Sequence, residues 1–305
     1  MRRGDWVTAL VAAGLAVFLL AVPLVTSGYG LSVATRAAAL AIGAVSLQFM
    51  LGFGGLVSFG HAASIGIGAY AVLASGSGDA VWTLPLAMAT AALFAFATGL
   101  VALRAEGVTF LMITLAFGQM AFFVAGSLSV FGGDDGMALE GRTPVAGTAL
   151  LEGRAAFHYA VVASLVLCGL VLRALAVSPY GRALRAARAN RLRAASLGYD
   201  VTRIRLAAYT VGGAGGGLAG FWLANTSEFV SPAILDWRGS GHLLVMVILG
   251  SLGPLGRSID GRLVGAAAGA VGLILLEEGL AGLTPRWPLL LGPILVVAAL
   301  AAVRR

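Results

Sequence analysis

Apolar residues in this chain run in blocks about as long as a bilayer is thick. A hydrocarbon core of ~30 Å takes about 20 residues of helix. Blocks near that length occupy 7–25, 31–51, 56–75, 82–103, 107–127, 157–177, 204–224, 261–279 and 288–303, with a shorter one at 241–252. The pattern predicts an all-α fold, a polytopic transmembrane helix bundle of about ten spans. The 241–252 block is too short to cross alone. It reads as a broken or re-entrant helix, which a bilayer tolerates only where protein or a water-filled cavity satisfies the backbone. Arg2 and Arg3 precede the first block, as in a signal peptide, but 19 largely apolar residues without a clear cleavage site read as an anchor.

Composition agrees. Of 305 residues, 11% are charged and 59% hydrophobic, with mean hydropathy +0.96; soluble globular proteins carry roughly 25% charge. A soluble enzyme, a disordered chain and a disulfide scaffold are excluded. The single cysteine, Cys168, offers neither an internal disulfide nor a CxxC motif. All 20 basic residues are Arg, so the chain lacks the lysine of a Walker A phosphate loop. The pI near 10.5 would suit nucleic acid, but the arginines cluster beside the spans, where they orient a protein in lipid.

Their placement sets an expected sidedness. With ten spans and both termini cytoplasmic, Arg2, Arg3, Arg104, Arg257, Arg262, Arg304 and Arg305 fall on the cytoplasmic side. So does the run from Arg173 to Arg205, with eight arginines against one acid, Asp200. The largest opposite loop, 128–156, holds Asp134, Asp135, Glu140 and Glu152 against Arg142 and Arg154. The expected organisation is one transmembrane domain over 1–305, with a cytoplasmic loop at 178–203 and a periplasmic loop at 128–156.

Lipid gives helices no hydrophobic reason to associate, so small residues must let backbones touch. Gly60, Ser64 and Gly68 recur every four residues, as do Gly261, Gly265 and Gly269, and the 204–224 block holds six glycines from Gly212 to Gly220. These read as a bundle able to rock, or as plain packing. The polar side chains expected inside the membrane are mild: Gln48, Ser58, His61, Ser64, Thr114 and Gln119. They are candidates for a solute path, with hydrogen bonding between helices as the alternative. Glu277 and Glu278 are placed at the outer end of 261–279, leaving no carboxylate at mid-membrane and arguing against an ion-coupled carrier. No catalytic constellation or metal cluster is visible, and neither enzyme activity nor a cofactor is expected.

The stretch from Ser178 to Arg191 is the most informative. Pro179 and Gly181 end the preceding span. Arg182, Arg185, Arg188 and Arg191 then recur every three residues among Ala and Leu. This predicts a short amphipathic helix across the cytoplasmic face, either docking a soluble partner or resting on anionic lipid.

Ordered motifs add a resemblance. Gly52-Phe53-Gly54-Gly55, Ser58-Phe59-Gly60-His61-Ala62-Ala63, Gly66-Ile67-Gly68-Ala69-Tyr70, Thr114-Leu115-Ala116-Phe117-Gly118, Gly132-Gly133-Asp134-Asp135-Gly136, Ser178-Pro179-Tyr180-Gly181-Arg182 through Leu197-Gly198, and Trp287 with Leu291-Gly292 stand in order along the chain. Together they resemble the second permease subunit of branched-chain amino acid ATP-binding-cassette importers, a family that includes urea and short-amide permeases. The chain departs from that family's usual residues at Gln48, Leu56, Gln119 and Arg191.

The resemblance implies an ATP-driven importer subunit in the bacterial inner membrane that moves branched-chain amino acids, or urea and short amides. Its implied partners are a paralogous permease subunit, two cytoplasmic ATP-binding subunits, a periplasmic solute-binding protein, membrane lipid and a small polar solute, with no nucleic acid. The coupling residues would be Gly181, Arg182, Arg185, Arg188, Arg191 and Gly198, on a helix around 182–197. An autonomous channel or carrier, or a membrane scaffold, are the alternatives of other classes.

Overall fold

The structure, a computed structural model, describes residues 3–76, 78–148, 151–252, 255–284, 286 and 289–293. Among these the chain is nearly all helix: α1 (Arg3–Val25), α2 (Tyr29–Gln48), α3 (His61–Ala74), α4 (Ala80–Ala102), α5 (Gly107–Ser127), α6 (Arg154–Val177), α7 (Pro179–Ala189), α8 (Arg191–Ser196), α9 (Val201–Ser227), α10 (Trp237–Gly250) and α11 (Ile259–Leu283). A two-residue antiparallel pair, β1 (Met137–Ala138) with β2 (Phe229–Val230), is the only sheet among the described residues. One contiguous buried cluster runs from Leu19 of α1 to Ile274 of α11.

Six helical stretches are long and apolar enough to cross a membrane: Trp6–Val25, α2 with its π-helical extension Phe49–Phe53, α4, α5, α6 and α11. The expected count of about ten is not confirmed. The 27 residues of α9 would reach about 40 Å at 1.5 Å per residue, but its glycines and arginines make it less apolar. The expected span 288–303 lies outside the described residues except for 289–293, as do Arg2, Gly253, Pro254, Trp287, Arg304 and Arg305.

Two apolar blocks contain only half-helices. The 56–75 block was expected to be helical throughout, yet residues 55–60 are irregular and α3 begins at His61. The short block at 241–252 is α10, also of 14 residues. Each spans about 21 Å, short of the ~30 Å core.

α9 is the hub, and its glycines show why. A Cβ at Gly212 would overlap the Met50 side chain, one at Gly217 the Ala87 carbonyl oxygen, and one at Gly220 the Ile65 carbonyl oxygen. One helix thus meets a side chain of the stretch that extends α2, and comes up against the backbones of α4 and α3. The α10–α11 crossing repeats the device, with Gly250 and Gly265 packed backbone to backbone.

α1 illustrates how a polar residue repairs a helix. Pro23 lies inside it and has no N–H to give the Leu19 carbonyl four residues earlier. Buried His158 of α6 donates from Nε2 to that oxygen at 2.8 Å, while its Nδ1 meets the Thr35 hydroxyl of α2 at 2.9 Å. The ring thereby bridges α6, α1 and α2.

The arginine-rich segment also differs from expectation. In place of one helix around 182–197 there are two, because Asn190 adopts an extended conformation and its side chain accepts from the Arg193 N–H at 2.9 Å, capping α8. α7 opens on the Ser178 cap with Pro179 at its first position. It buries Gly181, Ala183, Leu184 and Ala187.

Replacing Gly220 with Ala should cost about 1–3 kcal/mol, as overpacking typically does. Gly272→Ala, where a Cβ meets nothing within 4 Å, should leave stability unchanged or slightly raised. Thermal unfolding of the two variants in detergent measures the difference; equal midpoints would show that α9 is not closely packed.

Candidate solute cavity

The irregular stretch before α3 positions the interior. Buried polar side chains bind its backbone. The Phe59 N–H donates to Thr114 Oγ1 of α5 at 3.2 Å, and the Gly60 N–H to Ser58 Oγ at 3.1 Å. The Ala62 N–H donates to Ser240 Oγ of α10 at 2.9 Å. Gly60 is required here because a Cβ would lie 2.7 Å from the Thr114 carbonyl oxygen. His61 reaches back to α2: its Nε2 is 3.0 Å from Ser46 Oγ, whose hydroxyl donates to Gly43 O at 2.8 Å. With the hydroxyl proton so committed, the serine oxygen accepts from an Nε2–H tautomer.

Ser240 lies in the first turn of α10 and Ala62 in the first turn of α3, so the two half-helices meet at their N-termini. Gly239 permits it; a Cβ there would come within 3.3 Å of Ala62 Cβ. Each N-terminus carries a partial positive charge, and here two of them abut inside the bundle.

Beside this junction is a cavity of about 450 Å³. Leu40, Ala62, Ile65, Leu223, Ile234 and Leu243 give it apolar walls. Arg36, His242, Thr226, Ser227 and Ser231 supply polar groups. Arg36 stands in the second turn of α2, and no ion pair is formed by it among the described residues. His242 Nε2 lies 2.7 Å from Glu277 Oε1 of α11, and Glu277 is only 16% exposed. This corrects the expectation that Glu277 sits at a helix end, since α11 continues to Leu283.

The 128–148 segment is latched across this end of the bundle. β1 pairs with β2, whose Phe229 lines the cavity. Asn225 Oδ1, buried in α9, accepts from the Thr143 N–H at 2.7 Å and the Thr143 hydroxyl at 2.8 Å. Arg142 forms an ion pair with Glu228 at 3.3 Å and stacks on Phe157 with 4.4 Å to the ring centroid. Asp79 caps α4 and also accepts from the Ala146 and Gly147 N–H groups at 2.9 and 2.8 Å. The Val81 N–H, followed by that of Ala146 and then that of Gly147, holds its carboxyl below the usual carboxylate range.

The structure thus separates residues that looked alike in sequence. Ser58, His61 and Thr114 converge on the break. Ser64 is buried one turn along α3 against Gly216 of α9, and buried Gln48 packs on Gly52. Gln119 is half-buried on α5, its amide nitrogen without a partner among the described residues. None of the six lines the cavity. Arg36, His242 and Glu277 were missed as site residues. For Arg36 a signal existed, an arginine within an apolar block; for a His–Glu pair 35 residues apart there was none.

At the opposite end, Arg182 is exposed and donates to Val177 O at 3.2 Å. Arg185 donates to the Ala176 carbonyl and Arg188 to that of Gly52, while Arg191 pairs with Glu106. Gly181 lies against the Ala176 and Leu175 carbonyls, and Gly198 ends α8 with positive φ.

A multi-pass bundle with abutting half-helices beside a cavity is the architecture of a membrane transport subunit. The chain belongs to the family of branched-chain amino acid transport system permease components, whose sequence profile matches residues 29–300. It is 31% identical over 265 residues to the high-affinity branched-chain amino acid transport system permease protein LivM of Salmonella typhimurium, covering 78% of this chain and 62% of that protein. To LivM of Escherichia coli it is 30% identical over 270 residues, covering 80% and 64%. A shorter similarity, 33% over 150 residues, links it to the fructose import permease protein FrcC of Rhizobium meliloti, covering 49% and 41%. The chain therefore spans about three fifths of the length of the LivM relatives. No solved structure matches it. The family is a transport component and not an enzyme, in line with the reading of the sequence.

Because hydrogen bonds to the carboxylate depress the Asp79 pKa, its contribution to the latch is complete above the usual carboxylate pKa. It is lost as pH falls through the depressed value. A spin label on Thr148→Cys, in a Cys168→Ala background, should stay ordered from neutral pH down to about 4 and loosen below that. Asp79→Ala should show the loosened signal at neutral pH. An immobile label in that variant would dismiss the latch.

Proposed function

We propose that this chain is the permease subunit of an ATP-driven importer that moves branched-chain amino acids across the bacterial inner membrane. The supporting observation is the cavity itself. Its apolar walls suit an aliphatic side chain. Arg36 and two converging helix N-termini suit a carboxylate, and Glu277, bridged to His242, suits an ammonium group. A neutral sugar, the solute named for the relative FrcC, would leave the Arg36 charge without a partner, and so would urea or a short amide.

In this reading the chain is one permease domain over 1–305. The 128–156 loop and the cavity face the periplasm, while both termini and the 178–203 loop face the cytoplasm. The arginine density around α7 and α8 supports that orientation. Energy comes from two separate ATP-binding subunits, with a paralogous permease completing the pathway and a solute-binding protein delivering the amino acid. Within the coupling segment we assign different tasks. Exposed Arg182 meets the ATPase. Gly181 lets α7 close on α6 and Gly198 turns the chain into α9, while Arg185, Arg188 and Arg191 fasten α7 and α8 to the bundle. Ser58 and Thr114 shape the path by holding its backbone, His61 by bonding to Ser46, and Gln48 and Ser64 by packing on glycines, while Gln119 offers an unused amide.

Arg36→Ala should raise the KM for leucine about ten- to hundredfold, the range expected for losing a charged hydrogen bond. Labelled leucine uptake by the assembled transporter measures this, with labelled fructose and urea as competitors. Wild-type uptake at low leucine concentration in the variant, or inhibition by fructose, would reject the assignment. Arg182→Glu should cut co-purification of the ATPase severalfold while the permease remains inserted; undiminished recovery would move the contact elsewhere.

A further inference from the structure

A second cavity, of about 350 Å³, opens at the arginine-rich end between the helix break and the α7–α8 segment. Leu51, Gly54, Gly55 and Val57 form one side, and Arg188, Arg191 and Arg205 the other. Arg205, in the second turn of α9, is only 6% exposed, and no hydrogen bond or ion pair to its side chain exists among the described residues. It is close enough to Arg191 for the two like charges to repel. Arg188 and Arg262 both donate to the Gly52 carbonyl, Arg262 at 2.6 Å, and Arg185 and Arg188 together repel Arg262. The carboxylate paired within this group is Glu106, on Arg191. Gly55, with φ +67°, leaves room for the Arg188 stem, which a Cβ would approach to 3.1 Å.

Five guanidinium groups therefore converge with one carboxylate among them. Cations drawn together and partly removed from water are costly unless an anion completes the site. We propose that this cavity binds a phosphate group through Arg188, Arg191 and Arg205. A carboxylate brings one charge and two oxygens. A phosphate monoester brings up to two charges and three oxygens, matching three planar guanidinium forks and the surplus positive charge. Bound there, it ties α7, α8, α9 and the helix break together, and so acts on the segment linking the bundle to its proposed motor. The inference goes beyond the transport reading and does not depend on which solute is carried.

The phosphate could come from the aqueous phase or from an anionic lipid headgroup, and the test separates them. The full-length chain is purified in uncharged detergent, and its thermal midpoint is followed against inorganic phosphate, with chloride at matched ionic strength. A parallel series adds phosphatidic acid or phosphatidylcholine. A saturable rise with phosphate, absent with chloride, supports a soluble ligand; a rise confined to phosphatidic acid supports a lipid headgroup. In either case Arg205→Gln should weaken the apparent affinity at least tenfold. Should that variant fail to fold, Arg188→Gln should do the same. A midpoint indifferent to both phosphate and phosphatidic acid, or an equal response in the folded variants, overturns the proposal.

Discussion

Inside a bilayer no water is available to a backbone N–H or C=O that its own helix leaves unpaired. Every interruption of a spanning helix must be answered by another part of the protein, and this constraint organises the bundle. Between the end of α2 and the start of α3 the answer comes from the backbone at Leu56, from Ser58 and Thr114, and from Ser240 on α10. The Gly52 carbonyl is met by two arginines, Arg188 and Arg262. The carbonyl freed by Pro23 is met by His158. The few polar side chains within apolar blocks are spent largely on such repairs, which is why the cavity wall draws on others.

The same constraint creates the electrostatics of the cavity. Breaking two helices and joining their N-termini places two positive dipole ends side by side, near Arg36. Such an arrangement is poor at holding a cation and well suited to a carboxylate. The negative counterpart, Glu277, is held in place by His242 instead of being left bare in an apolar setting. The proposed solute, a zwitterion with an aliphatic tail, would meet complementary charge from helix geometry and a handful of side chains.

Much of the fold was legible in sequence where helices face lipid. The block at 107–127 became α5 with the same bounds, because a helix apolar on every side has nothing but its length to signal. The 56–75 block misled for the opposite reason. Residues 56–60 are as apolar or small as a helix requires, and only partners on α5 and α10 reveal that their backbone is bonded elsewhere. The division of α7 from α8 had a local signal in Asn190, a capping residue, which the regular three-residue arginine repeat obscured. The cavity was least legible, since residues from α2, α3, α9 and α10 meet there only after folding.

That repeat also shows why identical residues diverge in role. Three residues advance a helix by about 300°, so successive arginines on α7 drift about 60° around the axis and fan over roughly 120° from Arg182 to Arg188. Arg182 is left toward solvent, while Arg185 and Arg188 swing back to carbonyls of α6 and of the break. From Gly52, where Arg188 is anchored, ten residues of chain lead to Ala62 at the cavity. A displacement of α7 therefore pulls on the strand of backbone that carries the start of α3. The arginine segment and the cavity, at opposite ends of the bundle, are in this way joined by a short covalent path whose hydrogen bonds leave little slack.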